Sequence, residues 1–297
     1  MSLVNNEIEE IKSKVVVLLA AYNGMRFIEE QVSSILNQTG VEVKIFISVD
    51  KSTDETYQWC KSIEDNNKTI TVLPYGEKFG GAAKNFFRLI KDVNFNDYSF
   101  VALSDQDDIW EPQKLYRAVS CINNKRYDAF SSDVTAFWKN GKKVYIKKSW
   151  PQKKYDYLFE SAGPGCTYVL KAKALNSFKI FLLSNWNLIN KISLHDWMIY
   201  AYFRKNRFNW YIDNFPLIQY RQHENNEFGS NSGLKAYLKR FLLVKNNWYR
   251  KEVTKINELL KLRISLNFWF RFKNFWELRR RPRDVLILLI ISISGLY

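Results

Sequence analysis

Ser99-Phe100-Val101-Ala102-Leu103-Ser104-Asp105-Gln106-Asp107-Asp108-Ile109-Trp110 runs from an apolar stretch straight into three carboxylates within four residues. A short unbroken apolar run of this kind predicts a strand buried on both faces, here over 99–103. Three acids so close together repel and raise one another's pKa. A fold keeps them with compensation, commonly a hard divalent cation. Mg²⁺ or Mn²⁺ takes oxygen ligands, a carboxylate or two, and lets substrate phosphates complete its shell. The plainer alternative is a solvated acidic turn ahead of the next helix, which Pro112 would open.

Upstream the chain alternates. Residues 15–21 are apolar and β-branched and end in the turn Tyr22-Asn23-Gly24, which predicts a buried strand. Helical spacing follows over 27–38. A second strand, 43–49, is closed by Asp50, and Ser52 or Thr53 suits the cap of a helix over 53–63. A third strand over 70–73 is stopped by Pro74, and a helix covers 82–90. After the quoted segment a helix runs from 112 to 119. Strands alternating with helices predict a mostly parallel α/β sheet flanked by helices. Ligands of such sheets lie beyond the carboxyl ends of the strands, which here carry Tyr22, Asp50 and the 105–108 acids. Beyond a strand at 130–134 the alternation breaks. An outer strand is expected at 144–146 and an irregular basic and aromatic loop at 151–161. Gly163-Pro164-Gly165 turns into a strand at 166–170. His195-Asp196 begins an amphipathic helix through 203, two short strands follow at 210–212 and 217–220, and 221–229 is polar.

The 297 residues suffice for one large α/β domain and an appendage. With 46% hydrophobic and 25% charged residues the chain is globular. Its net charge of +15 is concentrated late: residues 235–283 hold fifteen Lys/Arg against three Glu. A basic, aromatic, helical tail over 234–297 fits an anionic partner, with a membrane surface favoured over nucleic acid, and also suits a homo-oligomer contact. Its apolar end, 285–297, is shorter than the ~20 residues a spanning helix needs. Cys60, Cys121 and Cys166 have neither zinc-site spacing nor an even count, and the polar N-terminus is no secretory signal. A cytoplasmic protein is expected.

Some residues could carry chemistry. Tyr22 can stack on a flat base, and Asp50 can accept hydrogen bonds from a base or ribose. Residues 76–85 open a helix with glycines, so Lys78 and Lys84 can touch a diphosphate. The segment is not a P-loop, because Ala82 stands where the lysine belongs, and no G-x-G-x-x-G occurs. Asp196 can act as a general base or simply favour a helix start. His223, in a polar cluster, can ligate a metal.

The ordered set Ala20-Ala21-Tyr22-Asn23-Gly24, Val49-Asp50-Lys51-Ser52-Thr53-Asp54, the 104–110 motif with Pro112 and Lys114-Leu115, His195-Asp196-Trp197 and Tyr220-Arg221-Gln222-His223 resembles glycosyltransferase family 2, a GT-A-fold family. Within it the motifs most resemble bacterial rhamnosyltransferase-like members that build surface polysaccharides such as capsule and O-antigen. The resemblance implies a catalytic domain over 1–233, with a nucleotide-sugar part at about 14–135 and an acceptor part at about 136–233, followed by the tail. It implies that Tyr22 and Asp50 hold the donor base, Asp105 the ribose and Asp107 a divalent metal, with Asp196 as base on the acceptor hydroxyl and His223 as a further metal ligand. The implied reaction is inverting, metal-dependent transfer to a glycan or lipid-linked acceptor at the inner face of the cell membrane. The implied donor is dTDP-β-L-rhamnose, with a UDP-hexose as alternative. Where the family usually has Asp-Asp-Gly-Ser, this chain has Val49-Asp50-Lys51-Ser52, and the Q-x-x-R-W motif of processive synthases is absent. A nucleotidyltransferase would want a glycine-rich basic loop at 20–24. A non-catalytic membrane- or nucleic-acid-binding protein would have no use for the acidic cluster.

Overall fold

The computed structural model describes residues 12–223 and 246–294. In chain order the elements are β1 (Ser13–Ala21), α1 (Ile28–Leu36), β2 (Val41–Val49), α2 (Thr56–Asn66), β3 (Ile70–Val72), α3 (Ala82–Asp92), β4 (Phe100–Ser104), β5 (Ile109–Trp110), α4 (Lys114–Lys125), β6 (Ala129–Ser132), β7 (Val134–Trp138), β8 (Lys143–Ile146), α5 (Asp156–Phe159), β9 (Val169–Lys171), α6 (Ala172–Ser184), α7 (Trp186–Ile189), α8 (His195–Lys205), β10 (Trp210–Asp213), β11 (Ile218–Gln222), α9 (Trp248–Leu259), α10 (Phe268–Lys273), α11 (Phe275–Leu278) and α12 (Pro282–Ile293).

Seven strands form the main sheet in the order β10-β6-β9-β4-β1-β2-β3. All pairs in it are parallel except those of β9, which runs antiparallel to both β4 and β6. Central β1 is buried on both faces, as its unbroken apolar run requires. Val15, Val17 and Leu19 join the core under α1, α2 and α4, whereas Val16 and Leu18 join the core under α3, α6 and α8. The two-residue period of a strand thus supplies both layers.

A second sheet has four strands, β5-β11-β7-β8, and the chain passes from β6 in the first sheet to β7 in the second at Asp133. That carboxylate is fully buried and accepts hydrogen bonds from the backbone of Lys148 and Ser149 and from the Ser149 and Tyr145 hydroxyls. The single strand expected at 130–134 is therefore two strands in different sheets.

Other boundaries also move. The helix expected from 53 starts at Thr56 instead, because Ser52 and Thr53 bond the turn after β1: Asn23 N donates to Ser52 Oγ (3.0 Å), and Thr53 N donates to Asn23 Oδ1 (2.8 Å). The helix expected at Pro112 starts at Lys114. The 151–161 loop contains the short helix α5, and the strand expected at 166–170 is a 3-10 turn, Gly165–Thr167, followed by β9.

The tail is part of the core. Val253, Ile256, Leu259, Leu260, Leu278 and Leu288 are buried in the same cluster as α3, α6 and α8. The helical spacing read at 234–241 and the polar stretch after residue 223 lie outside the described residues.

Candidate active site

Strand ends and the glycine turns beside them carry the residues expected to hold the donor. Gln106 reaches back to the turn after β1, where its Oε1 accepts from Tyr22 N (2.7 Å) and its Nε2 donates to Tyr22 O (2.8 Å). A side chain on Gly24 would lie 2.2 Å from that amide oxygen, so the clasp needs glycine there. Tyr22 itself is half exposed, with its ring open to a ligand. Asp50 is buried and gathers backbone amides: Oδ1 accepts from Lys51 N and Phe79 N (both 2.8 Å), and Oδ2 from Gly80 N (2.9 Å). It thereby holds the glycine loop, in which Gly76, Gly80 and Gly81 all adopt positive φ, over the end of β2. Lys78 on that loop and Lys84 in the first turn of α3 are exposed.

The acidic motif forms the floor. Asp105 and Asp107 are partly buried. Strand β11 pairs antiparallel with β5 and so brings the end of the Tyr-Arg-Gln-His segment to the motif. His223 Nε2 stands 2.8 Å from Asp107 Oδ2, and its ring lies 4.9 Å from that of Phe27. Arg221 locks the arrangement. Its backbone N donates to Asp108 Oδ1 (3.1 Å), its Nε donates to Asp107 O (2.8 Å), and its guanidinium pairs with Glu30.

Asp107 and His223 fit a divalent cation. Neighbouring ligands on an octahedral ion with bonds of ~2.1 Å are about 3 Å apart, which their spacing matches. Asp105, Asp108 and Cys166 also bring one ligand atom each within 4.8 Å of one another. They fit a hard cation poorly, since a buried thiol is a soft ligand. Burial, with the charge of Asp107 beside it, also pushes the Asp108 carboxyl up to about 8 and favours its uncharged form. Lys114 is buried behind it with its ammonium 3.1 Å from the Trp110 ring centroid, and burial pushes it down to about 7. Asp108 and Lys114 form the packed underside of the motif.

The residue expected to act on the acceptor stands at the start of α8. His195 is buried and stacked on Phe86 at 3.9 Å, and burial pushes its imidazole down to about 3, so it is neutral packing. Asp196, next to it, is partly buried, and its Oδ1 accepts from Trp197 N (2.7 Å). Burial raises its carboxyl to about 6, outweighing the opposing pull of the Trp197 amide and the Lys148 charge. The two sides meet at the turn before β9. Gly165 abuts His195 and Asp196, where an added Cβ would come within 2.4 Å of His195 Nε2. The next residue, Cys166, lies beside the acidic motif, its thiol within 4.8 Å of a carboxylate oxygen of Asp108.

The structure thus brings Asp107 and His223 together and puts Tyr22, Asp50 and Asp105 on adjoining strand ends. Gln106, Arg221 and Gly165 escaped the sequence reading, since their roles come from partners remote in the chain. Only the crowding of motifs around Gln106 and Arg221 hinted at them.

The model of Glycosyl transferase family 2 matches residues 16–182. The chain is 44% identical over 291 residues to the dTDP-rhamnosyl transferase RfbG of Shigella flexneri, covering 94% of this chain and 100% of that one. It is 27% identical to the Escherichia coli UDP-Glc:alpha-D-GlcNAc-diphosphoundecaprenol beta-1,3-glucosyltransferase WfgD, over 54% of this chain and 62% of that protein. Among solved structures it resembles S. aureus TarS in complex with UDP-GlcNAc, with a TM-score of 0.53 at 16% identity over 95% of this chain and 80% of that one. It also resembles the mannosyltransferase PcManGT of Pyrobaculum calidifontis in complex with GDP-Man and Mn2+, with a TM-score of 0.53 at 13% identity over 97% of this chain and 82% of that one. The likeness to these solved structures extends to the fold, the family model spans the strands that carry Tyr22, Asp50 and the acidic motif, and the Shigella relative is matched from end to end: this chain is a glycosyltransferase of family 2, with a GT-A fold.

Proposed function

We propose that the enzyme transfers L-rhamnose from dTDP-β-L-rhamnose to a hydroxyl of a growing, lipid-linked surface polysaccharide, with inversion and with a divalent cation. The observation that carries the reaction type is the pairing of Asp107 with His223 in the acidic motif beside Cys166, with Asp196 beside the adjacent Gly165. The donor rests on the full-length similarity to a dTDP-rhamnosyl transferase.

In this reading Tyr22 stacks on the donor base and Asp105 binds the ribose. Asp50 shapes the base pocket through the amides it gathers, and Lys78 and Lys84 meet the diphosphate. When bound by Asp107 and His223, Mn²⁺ or Mg²⁺ neutralises charge developing on the leaving diphosphate. Asp196 takes the proton of the acceptor hydroxyl as its oxygen attacks the anomeric carbon. One base and one displacement invert that centre, as in inverting glycosidases with the acceptor in place of water. The functional division is 14–135 for the nucleotide sugar, 136–233 for the acceptor and 234–297 for the tail. Incubation with dTDP-rhamnose and Mn²⁺ should release dTDP by slow donor hydrolysis, faster than UDP is released from UDP-glucose. The NMR spectrum of a transfer product should show an α-rhamnoside. Preference for a UDP-sugar would overturn the donor, and a β-product the single displacement.

The tail is read as a contact with the cytoplasmic leaflet of the cell membrane, where lipid-linked acceptors are held. Among the described residues no helix is long and apolar enough to cross a membrane. Instead α10–α12 expose Trp269, Phe272, Trp276, Leu286, Ile290 and Ile293, flanked by exposed Lys273, Arg281 and Arg283. Each basic residue near an anionic leaflet contributes about 1 kcal/mol, and exposed tryptophans suit the interface. The full chain should float with anionic liposomes, and less so in high salt. The Trp269→Ser/Ile290→Ser double variant, altered only at exposed positions, should stay at the bottom. Equal flotation of the two, or none by the wild type at low salt, would sink the membrane reading and leave the apolar face to a second copy of the chain.

A further inference from the structure

In the turn after β1, successive backbone amides meet partners from other parts of the chain. Asn23 N donates to Ser52 Oγ (3.0 Å), Gly24 N to Thr56 Oγ1 (2.8 Å) and Met25 N to Asp54 Oδ2 (3.1 Å). These three partners follow β2. Tyr22 is held from the other side of β1, by the acidic motif after β4: Gln106 Oε1 accepts from Tyr22 N (2.7 Å), and Gln106 Nε2 donates to Tyr22 O (2.8 Å). The Gln106 amide thus meets Tyr22 as a residue of a neighbouring strand would, taking one bond and giving one. A carboxylate of the same length could accept but not donate, and would set its charge against the Tyr22 carbonyl. Gly24 leaves room for the amide, since an added Cβ would lie 2.2 Å from Oε1 and 2.6 Å from Cδ of Gln106.

Gln106 stands between Asp105 and Asp107 in the chain. Asp107 is itself fixed twice: its carbonyl accepts from Arg221 Nε (2.8 Å), and its Oδ2 stands 2.8 Å from His223 Nε2. The clasp therefore ties the backbone that carries the half-exposed Tyr22 ring to the candidate metal pair. We infer that Gln106 is a positioning residue: it sets the span between the Tyr22 ring and Asp107, so that base and diphosphate of one donor are gripped together. A second contact on the same ligand strengthens binding only where the span between the two matches the ligand. A span set beforehand need not be ordered when the donor binds. The inference rests on the readings of Tyr22 as the residue that holds the base and of Asp107 as a metal ligand.

Gln106→Met keeps the length and loses both bonds. By calorimetry its affinity for dTDP in Mn²⁺ should fall about 10-fold, because the base contact is no longer preset. Its affinity for inorganic pyrophosphate in Mn²⁺, which engages no base, should hold within about twofold, and this also shows that the variant is folded. In a Tyr22→Ala background Gln106→Met should add nothing to the loss for dTDP, because both act through one ring. Gly24→Ala should reproduce the dTDP loss with Gln106 still in place, since the added methyl meets only the flexible end of that side chain. Unchanged dTDP affinity in Gln106→Met overturns the inference, as do equal losses for dTDP and pyrophosphate, or equal losses from Gln106→Met in both backgrounds. Undiminished dTDP binding by Tyr22→Ala alone overturns the reading of Tyr22, and with it any role for the clasp through that ring. Wild-type pyrophosphate binding indifferent to Mn²⁺ overturns the reading of Asp107 instead.

Discussion

Asp107→Ala is expected to abolish transfer, lowering it by at least ~10³-fold, because a cation at the leaving diphosphate supplies several kcal/mol of charge stabilisation. Asp107 is the acid that meets His223, and their side chains are only 14% exposed. Asp108 is a poor substitute, since burial favours its uncharged form and its Oδ1 already accepts from Arg221 N. The variant should also bind dTDP more weakly in Mn²⁺, because phosphate oxygens complete the shell of the ion. EDTA should impose the same loss on the wild type, and added Mn²⁺ should reverse it. Near-normal turnover of the variant, or wild-type activity that survives EDTA, would remove the metal from the mechanism.

The second large effect is expected at Asp196. Asp196→Asn keeps the shape and removes the basicity, so kcat should fall by ~10²–10⁴-fold, the usual contribution of a general base, while donor affinity holds. The pH dependence has a definite sign. A base works when ionised, and burial has raised this carboxyl to about 6. Wild-type kcat/KM should therefore rise with pH and level off above about 6, whereas an ordinary carboxylate would level off near 4. The variant should lose that limb. A collapse of donor binding equal to the loss of rate would recast Asp196 as a structural residue.

The Asp-Gln-Asp-Asp motif, the turn after β1 and the His-Asp start of α8 were legible because each depends on residues close in the chain. An apolar run of period two, a glycine turn or a proline acts over a few residues, and the strand-loop order of the first 125 residues follows from such signals. The errors arose where a local signal was claimed by a distant partner. Ser52 and Thr53 look like caps for α2, yet their polar groups are spent on Asn23, so the helix begins later. The run at 130–134 looks like one strand, yet Asp133 is needed to anchor the 145–149 segment, and the chain changes sheets there. The tail aromatics showed no clean stripe because they serve two surfaces: Phe270 packs toward the core, and Trp269 is 72% exposed.

By itself the sequence determined the class of fold, the family and the chemical character of the site, since these reside in local periodicity and in short motifs whose residues act near one another. Which distant residues meet was decided by tertiary structure alone. His223 reaches Asp107 across 116 positions because β11 pairs with β5 in a second sheet. Arg280 reaches Ser161 across 119 because the tail docks on the same core as α8. Strand order and helix docking are set by the packing of whole faces of the molecule, and no short stretch of chain encodes them.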